Sequence, residues 1–151
     1  MGRILRIVGL VIVMAAGSPA AAQKPAAPAS GVSVLSGVFS DQQAQHGESV
    51  FQSNCSSCHT PTSQTGSQFE LRWAGRSVYD YVQLIRTTMP HEEPGRLSRP
   101  DYVAIVAFLF KSHGYPAAVD PLPDDDERLK LIRIDAKPQS APSPPPASSK
   151  P

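Results

Sequence analysis

Two cysteines and a histidine near the middle of the chain carry the clearest chemical signal in the sequence. Cys55 and Cys58 are separated by two residues, and His59 follows directly. Two thiols at this spacing can each add to one vinyl group of the same haem, and the next imidazole is then placed to bind the iron. We therefore predict one covalently attached haem c, with His59 as the first axial iron ligand.

Three other interpretations of this motif compete with haem attachment. A thioredoxin-like thiol pair would need a preceding strand and a βαβ context, and the sequence has neither. A zinc site would need a fourth ligand, and the remaining histidines, His46, His91 and His113, are not paired at ligand spacing. Chance is the third alternative, because five-residue patterns do arise at random.

The second axial ligand is predicted to be Met89, the only methionine beyond the N-terminal segment. A lone methionine is ordinarily core filler. This one stands at the exit of a predicted helix that Pro90 stops, so its thioether can reach the iron face opposite His59. A His and Met pair raises the reduction potential and leaves no open site, which suits electron transfer. His91 is the main rival ligand, and His113 is expected to face solvent.

The two ends of the chain differ in composition from its middle. Residues 1–22 combine a positive start, a short apolar run and three alanines, which is typical of a cleaved secretory signal. Residues 23–37 predict a flexible Ala/Pro/Ser linker, and residues 136–151 a disordered Pro/Ser-rich tail. The folded domain is then predicted to span residues 38–135. An uncleaved N-terminal anchor is the alternative to a signal.

The predicted export signal indicates where the protein is located, and its net charge argues against one class of partner. Export places the mature protein in the periplasm, with no stable membrane span after cleavage. Without residues 1–22, the chain keeps 12 basic and 13 acidic residues. A balance so close to neutral gives no electrostatic case for binding nucleic acid.

The domain is predicted to be all-α, because its apolar residues recur at helical spacing and no stretch alternates at strand spacing. Three residues are expected to cap its helices: Asp41, Ser77 and Ser98. Gly114 is expected to end the third helix, and Tyr81 to face inward from the second. Segments 60–76 and 90–97 are rich in polar residues, Gly and Pro, so we expect loops there.

Taken in order, these features resemble class I cytochromes c over about residues 41–134. The resemblance rests on residues 55–59, Gly75 and Arg76, Met89 and Pro90, Pro94 and Gly95, Leu97 and Ser98, and residues 105–109 followed by 114–116. It is closest to the small cytochromes that accompany bacterial quinoprotein dehydrogenases. It implies a small cytochrome c fold, with three to five helices and long loops wrapped around one haem. It also implies a contact of Gly47 and Phe51 with Phe108.

The resemblance further implies a role and a set of haem contacts. The possible contacts are Arg72, Trp73, Arg76, Tyr81, Ile85 and Pro90. Trp73 is equally compatible with plain packing. The implied role is a one-electron carrier, not an enzyme, between a dehydrogenase donor and a downstream cytochrome or oxidase. The alternative is a haem c protein with an open or bis-His sixth position, acting as a sensor or as the cytochrome subunit of an oxidoreductase complex.

Overall fold

The computed structural model describes residues 31–138. Within them lie α1 (Asp41–Asn54), α2 (Ser67–Trp73), α3 (Val78–Thr88), α4 (Arg99–His113) and α5 (Asp126–Lys130), with two-residue strands β1 (Val32–Ser33) and β2 (Ile132–Arg133). The prediction of a small all-α fold is confirmed. The predicted signal, residues 1–22, lies outside the described residues, as does the tail beyond residue 138. In residues 31–138 no helix is long and apolar enough to cross a membrane.

The start of α1 lies one residue earlier than predicted. Ser40, with extended backbone, is the residue that caps the helix, because its hydroxyl accepts from the Gln43 N–H at 3.2 Å. Asp41 instead occupies the first turn, where a carboxylate is favoured by the helix dipole. The prediction that Asp41 caps α1 is therefore wrong by one position.

The caps of α3 and α4 agree with the sequence prediction. Ser77 and Asp80 form a capping box at the start of α3, each side chain accepting from the other residue's backbone N–H. The Ser98 hydroxyl accepts from the Asp101 N–H at the start of α4. Gly114 ends α4 in the left-handed conformation, with φ of 91°. These local signals fix where two of the main helices begin and where one ends.

α1 and α4 pack closely enough that one position must be glycine. A Cβ added at Gly47 would lie 1.8 Å from the carbonyl oxygen of Ala104. One turn further along α1, the Phe51 ring lies 5.4 Å from the Phe108 ring, centroid to centroid. The expected glycine and aromatic contact between these helices is therefore present. α4 is buried around most of its circumference.

The folded domain begins before residue 38. Residues 23–37 were expected to form a linker, but β1 pairs in parallel with β2, with Val32 opposite Ile132. The Val34 side chain is fully buried. The small-residue composition of this segment gave no indication that Val32 pairs with β2 or that Val34 is part of the core. The linker prediction is therefore wrong for the described residues from about Val32 onward.

Segment 60–76 was expected to be a loop but contains α2. Its start, Gly66, has no side-chain cap. The Gly66 N–H instead donates to Nδ1 of His113 at 3.0 Å, and the other ring nitrogen of His113 lies 3.1 Å from Glu70 Oε1. His113 is buried, so the expectation that it faces solvent is wrong. A residue at the end of α4 thus holds α2 in place.

Candidate functional site

A cavity of about 390 Å³ lies between α1, α3 and α4 and is closed on one side by α2. Its apolar walls come mainly from Phe51 of α1, Leu84 of α3, and Ile105 and Leu109 of α4. Cys55, His59 and Met89 also line it. The cavity therefore combines an apolar interior with one imidazole and two sulfur groups.

The motif at residues 55–59 is shaped by hydrogen bonds within itself and to the end of α1. The Cys55 N–H donates to the Phe51 carbonyl at 2.8 Å and so closes α1. The Cys55 carbonyl then accepts from the N–H groups of Cys58, at 3.1 Å, and His59, at 2.9 Å. This tight turn brings both thiols and the imidazole to the same end of α1.

The two cysteines differ in exposure and are free thiols. Cys55 is half-buried against the core, whereas Cys58 is exposed. Burial raises the pKa of the Cys55 thiol, and the positive charge of Arg96 only partly opposes this. A reactive thiol pair of the thioredoxin kind would need a lowered pKa. The environment of Cys55 therefore disfavours that interpretation.

His59 has a polar neighbour that can fix its ring. The His59 Nδ1 atom lies 3.4 Å from Nε2 of Gln64, which also lines the cavity. A side-chain amide can be turned to offer its oxygen, so Gln64 can accept from a protonated Nδ1. Nε2 of His59 is then left free to bind a metal, as is usual for histidine ligands whose second nitrogen is held.

Met89 follows the last residue of α3, and its backbone N–H and carbonyl groups are both hydrogen-bonded. Its N–H donates to the Ile85 carbonyl at 2.8 Å, and its own carbonyl accepts from Tyr102 Oη at 2.8 Å. Its backbone is extended. Pro90, expected as a haem contact, is buried but does not line the cavity. The Pro90 ring is packed into the protein interior instead, so it is not available to the cavity.

The other histidines do not line this cavity. His46 lies on the exposed face of α1, with Nε2 2.8 Å from Asp101 Oδ1. His91 is exposed, and His113 is buried against α2. Across residues 31–138 no group of three or more His, Cys, Asp or Glu side chains could hold a metal ion. Among the described histidines, His59 is thus the one placed at the cavity.

The predicted haem contacts divide into those that reach the cavity and those that do not. Arg72, Trp73, Tyr81 and Ile85 all line it. Arg76 does not line it. The guanidinium groups of Arg72 and Arg76 both lie over the Trp73 ring, 5.7 Å and 5.0 Å from its centroid. Trp73 also packs on Tyr81, with ring centroids 4.5 Å apart. Burial raises the pKa of Tyr81, so this phenol stays protonated near neutral pH.

Several cavity residues were not foreseen as site residues. Ile105 and Leu109 are four positions apart on α4, and this spacing could have placed both on one face. Thr88 and Leu84 extend the wall formed by α3. Gln64 had no recognisable signal, because it is the last residue of a short 3₁₀ turn, Pro61–Gln64, whose position depends on the rest of the fold.

The residues present fit a covalently attached haem. Cys55 lines the cavity together with the Met89 thioether and the His59 imidazole, and Cys58, at the required spacing from Cys55, is exposed outside it. The walls are largely apolar, as needed to exclude water from a macrocycle and to tune its potential. The arrangement is suited to holding a redox-active iron and to moving electrons.

Comparison with known families gives a match over part of the chain. Residues 42–109 match a family model described as cytochrome C oxidase, cbb3-type, subunit III. Every residue that lines the cavity, from Phe51 to Leu109, falls inside the matched range. Comparison with curated proteins and with solved structures found no match.

Proposed function

Because this chain is a c-type cytochrome, and such proteins carry electrons on haem c, we propose that it is a periplasmic one-electron shuttle with a single haem and His/Met ligation. The observation that carries this proposal is the cavity in which Cys55, His59 and Met89 come together. Haem c, when bound, supplies an iron that alternates between the ferric and ferrous states. Electron transfer makes and breaks no bonds in a substrate, so the proposal requires no catalytic group in the cavity.

Each side chain has a definite task in this proposal. Cys55 and Cys58 would hold the cofactor by thioether bonds, and His59 and Met89 would supply the two protein ligands to its iron. Gln64 orients the His59 ring through Nδ1. The apolar walls exclude water, so the charge change at the iron is solvated by fixed protein dipoles and not by mobile solvent. With both iron ligands supplied by the protein, the site would reorganise little when one electron enters or leaves.

Electrons would pass where the attached edge of the cofactor nears the surface. Cys58 and its neighbours Ser56 and Ser57 are exposed, whereas Cys55 is half-buried. A redox partner can therefore approach the motif closely without entering the core. Such encounters usually bury little surface and are short-lived. We propose a dehydrogenase as the donor and a downstream cytochrome or oxidase as the acceptor.

A second candidate function is that of a cytochrome subunit within an oxidoreductase complex. The description of the matched family, an oxidase subunit, favours it. The two candidate functions differ in whether the protein is stably bound to other subunits. Size-exclusion chromatography of the natively expressed protein separates them: a shuttle elutes at the mass of the single mature chain, and a subunit elutes with its complex.

Haem analysis of the mature protein tests the main proposal. A pyridine haemochrome assay after export should give one haem c per chain, and Cys55→Ser with Cys58→Ser should abolish covalent attachment. The ferric protein should be low-spin, with the weak far-red band of an iron–thioether bond. Absence of haem, or high-spin iron that readily binds carbon monoxide as in a sensor, would refute the electron-shuttle proposal.

The export part of the proposal has its own test. Residues 1–22 have the composition of a signal that is removed on secretion. Cell fractionation followed by mass spectrometry should find the haem-bearing chain in the periplasm, beginning at about Gln23. Recovery of the full-length chain in the membrane fraction would instead support an uncleaved anchor.

A further inference from the structure

The backbone of Met89 is held from the core by a buried tyrosine. Tyr102 lies in the first turns of α4 and has no measurable exposure. Its hydroxyl donates to the Met89 carbonyl oxygen at 2.8 Å, and the Gly95 N–H approaches the same oxygen at 3.4 Å. With the bond from the Met89 N–H to the Ile85 carbonyl, both peptide groups of this residue are fixed.

Tyr102 contacts the backbone of Met89 and does not itself line the cavity. Met89 lines the cavity, but Tyr102 does not. α4, on which Tyr102 stands, is buried along nearly its whole length and is capped at Ser98. The tyrosine is therefore a fixed point, and Met89 lies on a chain segment that has just left its helix. With its backbone fixed, only the side-chain torsions of Met89 remain free.

We propose that Tyr102 is the positioning residue for the sixth iron ligand, holding the Met89 backbone so that the thioether is ready to bind. This rests on the proposed ligation by His59 and Met89. A ligand ordered in advance loses less conformational entropy when it binds. Without the Tyr102 hydroxyl, Met89 detaches more often, and a competing ligand from solution finds the iron open for longer.

The chain offers a matched control for this effect. The Tyr115 hydroxyl also donates to a backbone carbonyl, that of Asp135, at 2.7 Å. Tyr115 is buried as well and does not line the cavity. Tyr102→Phe and Tyr115→Phe therefore each remove one hydroxyl–carbonyl hydrogen bond and no ring. Both holoproteins are expected to fold, because the change leaves the packing intact.

The experiment is a titration of the ferric holoproteins with imidazole, which competes with the thioether for the iron. We expect Tyr102→Phe to raise the apparent imidazole affinity between about twofold and tenfold, the range that one net hydrogen bond provides. Its far-red band should weaken at the same time. Tyr115→Phe should match the parent in both respects, even though thermal unfolding shows a loss of stability in each variant.

Met89→Ala completes the titration and separates two kinds of failure. If this variant binds imidazole more tightly than the parent while Tyr102→Phe does not, Met89 is a ligand and the positioning role of Tyr102 is overturned. If Met89→Ala binds imidazole no more tightly than the parent, the proposed ligation fails, and the inference fails with it. An equal rise in Tyr102→Phe and Tyr115→Phe would reduce the effect to general stability and also overturn the inference.

Discussion

The two segments that bear the proposed iron ligands are held in place by different means. Residues 55–59, the attachment segment, are shaped by hydrogen bonds that span no more than five residues, among them those from Cys58 and His59 to the Cys55 carbonyl. Residues 88–97, the methionine segment, depend on Tyr102, 13 positions from Met89 and on another helix. One segment is organised locally, and the other by the packed core.

This difference separates attachment from ligation. Local hydrogen bonds form whenever the end of α1 forms, so the attachment segment can present its thiols and imidazole before the core is complete. The methionine segment reaches its final position only when α3 and α4 have packed. Damage to the core should therefore release Met89 before it releases His59. Four substitutions or conditions test this contrast.

The largest effect is expected from His59→Ala. Removal of a residue that only orients a metal ligand usually costs about 10- to 100-fold in metal-site affinity, and loss of the ligand itself should cost at least as much. We expect the yield of folded holoprotein, measured by pyridine haemochrome, to fall by at least about tenfold. His46→Ala, on the exposed face of α1, serves as the control and should keep the parent yield. A normal yield in His59→Ala would show that the attachment segment does not need its imidazole.

Gly47→Ala should disturb the methionine segment and leave the attachment segment in place, because it separates the two helices on whose packing only the methionine segment depends. The added Cβ would lie 1.8 Å from the Ala104 carbonyl oxygen, so α1 and α4 must move apart. Overpacking of this kind costs about 1–3 kcal/mol. Denaturant unfolding of the holoprotein should show this loss, with a weaker far-red band and intact covalent haem. Ser49→Ala, on the exposed side of α1, should leave the unfolding free energy and the far-red band nearly unchanged. An unchanged far-red band in Gly47→Ala would show that Met89 tolerates core damage.

A moderate effect is expected from pH, through the contact of His113 with α2. Burial lowers the pKa of His113 below its ordinary 6.5, Lys137 lowers it further, and Glu70 opposes the shift. The folded state then binds fewer protons than the unfolded state between the lowered pKa and about 6.5. Stability should therefore be full above that window and fall as the pH falls through it.

Thermal unfolding of the parent and of His113→Gln between pH 7 and pH 5 measures this contribution. The other groups facing His113 are Glu70, Lys137 and Tyr115, and all are retained in the variant. The parent should lose more stability than the variant over this range. Equal slopes would show that His113 is not the titrating group. Covalent haem content should stay constant, because the attachment segment does not touch His113.

The smallest effect is expected from Arg96→Gln. The Arg96 guanidinium donates to the Asn54 side-chain oxygen at 2.6 Å and so joins the methionine segment to the end of α1. Because the contact is exposed, its loss should cost less than about 1 kcal/mol in denaturant unfolding. Arg86→Gln, also on the surface, is the control. A loss well above that of the control, together with a weaker far-red band, would show that the two segments are coupled across the cavity.

The sequence predicted best where structure depends on neighbours in the chain. Ser77 and Ser98 were recognised as caps because a cap is a contact over three residues. α2 was missed for the opposite reason. Its start is held by His113, 47 positions away from Gly66. No residue next to Gly66 in the sequence predicts this contact. The burial of Val34 was also not predicted, because the small residues around it are typical of a linker.

By itself, the sequence predicted covalent haem attachment at residues 55–59, His59 and Met89 as candidate ligands, and the starts of α3 and α4. These depend on residue type and short spacing, which persist in any conformation of the chain. Only the tertiary structure decided that Arg72 reaches the cavity and Arg76 does not, and that Tyr102 holds Met89. Such contacts exist only after helices distant in sequence have packed, because side-chain direction and burial are properties of the whole fold.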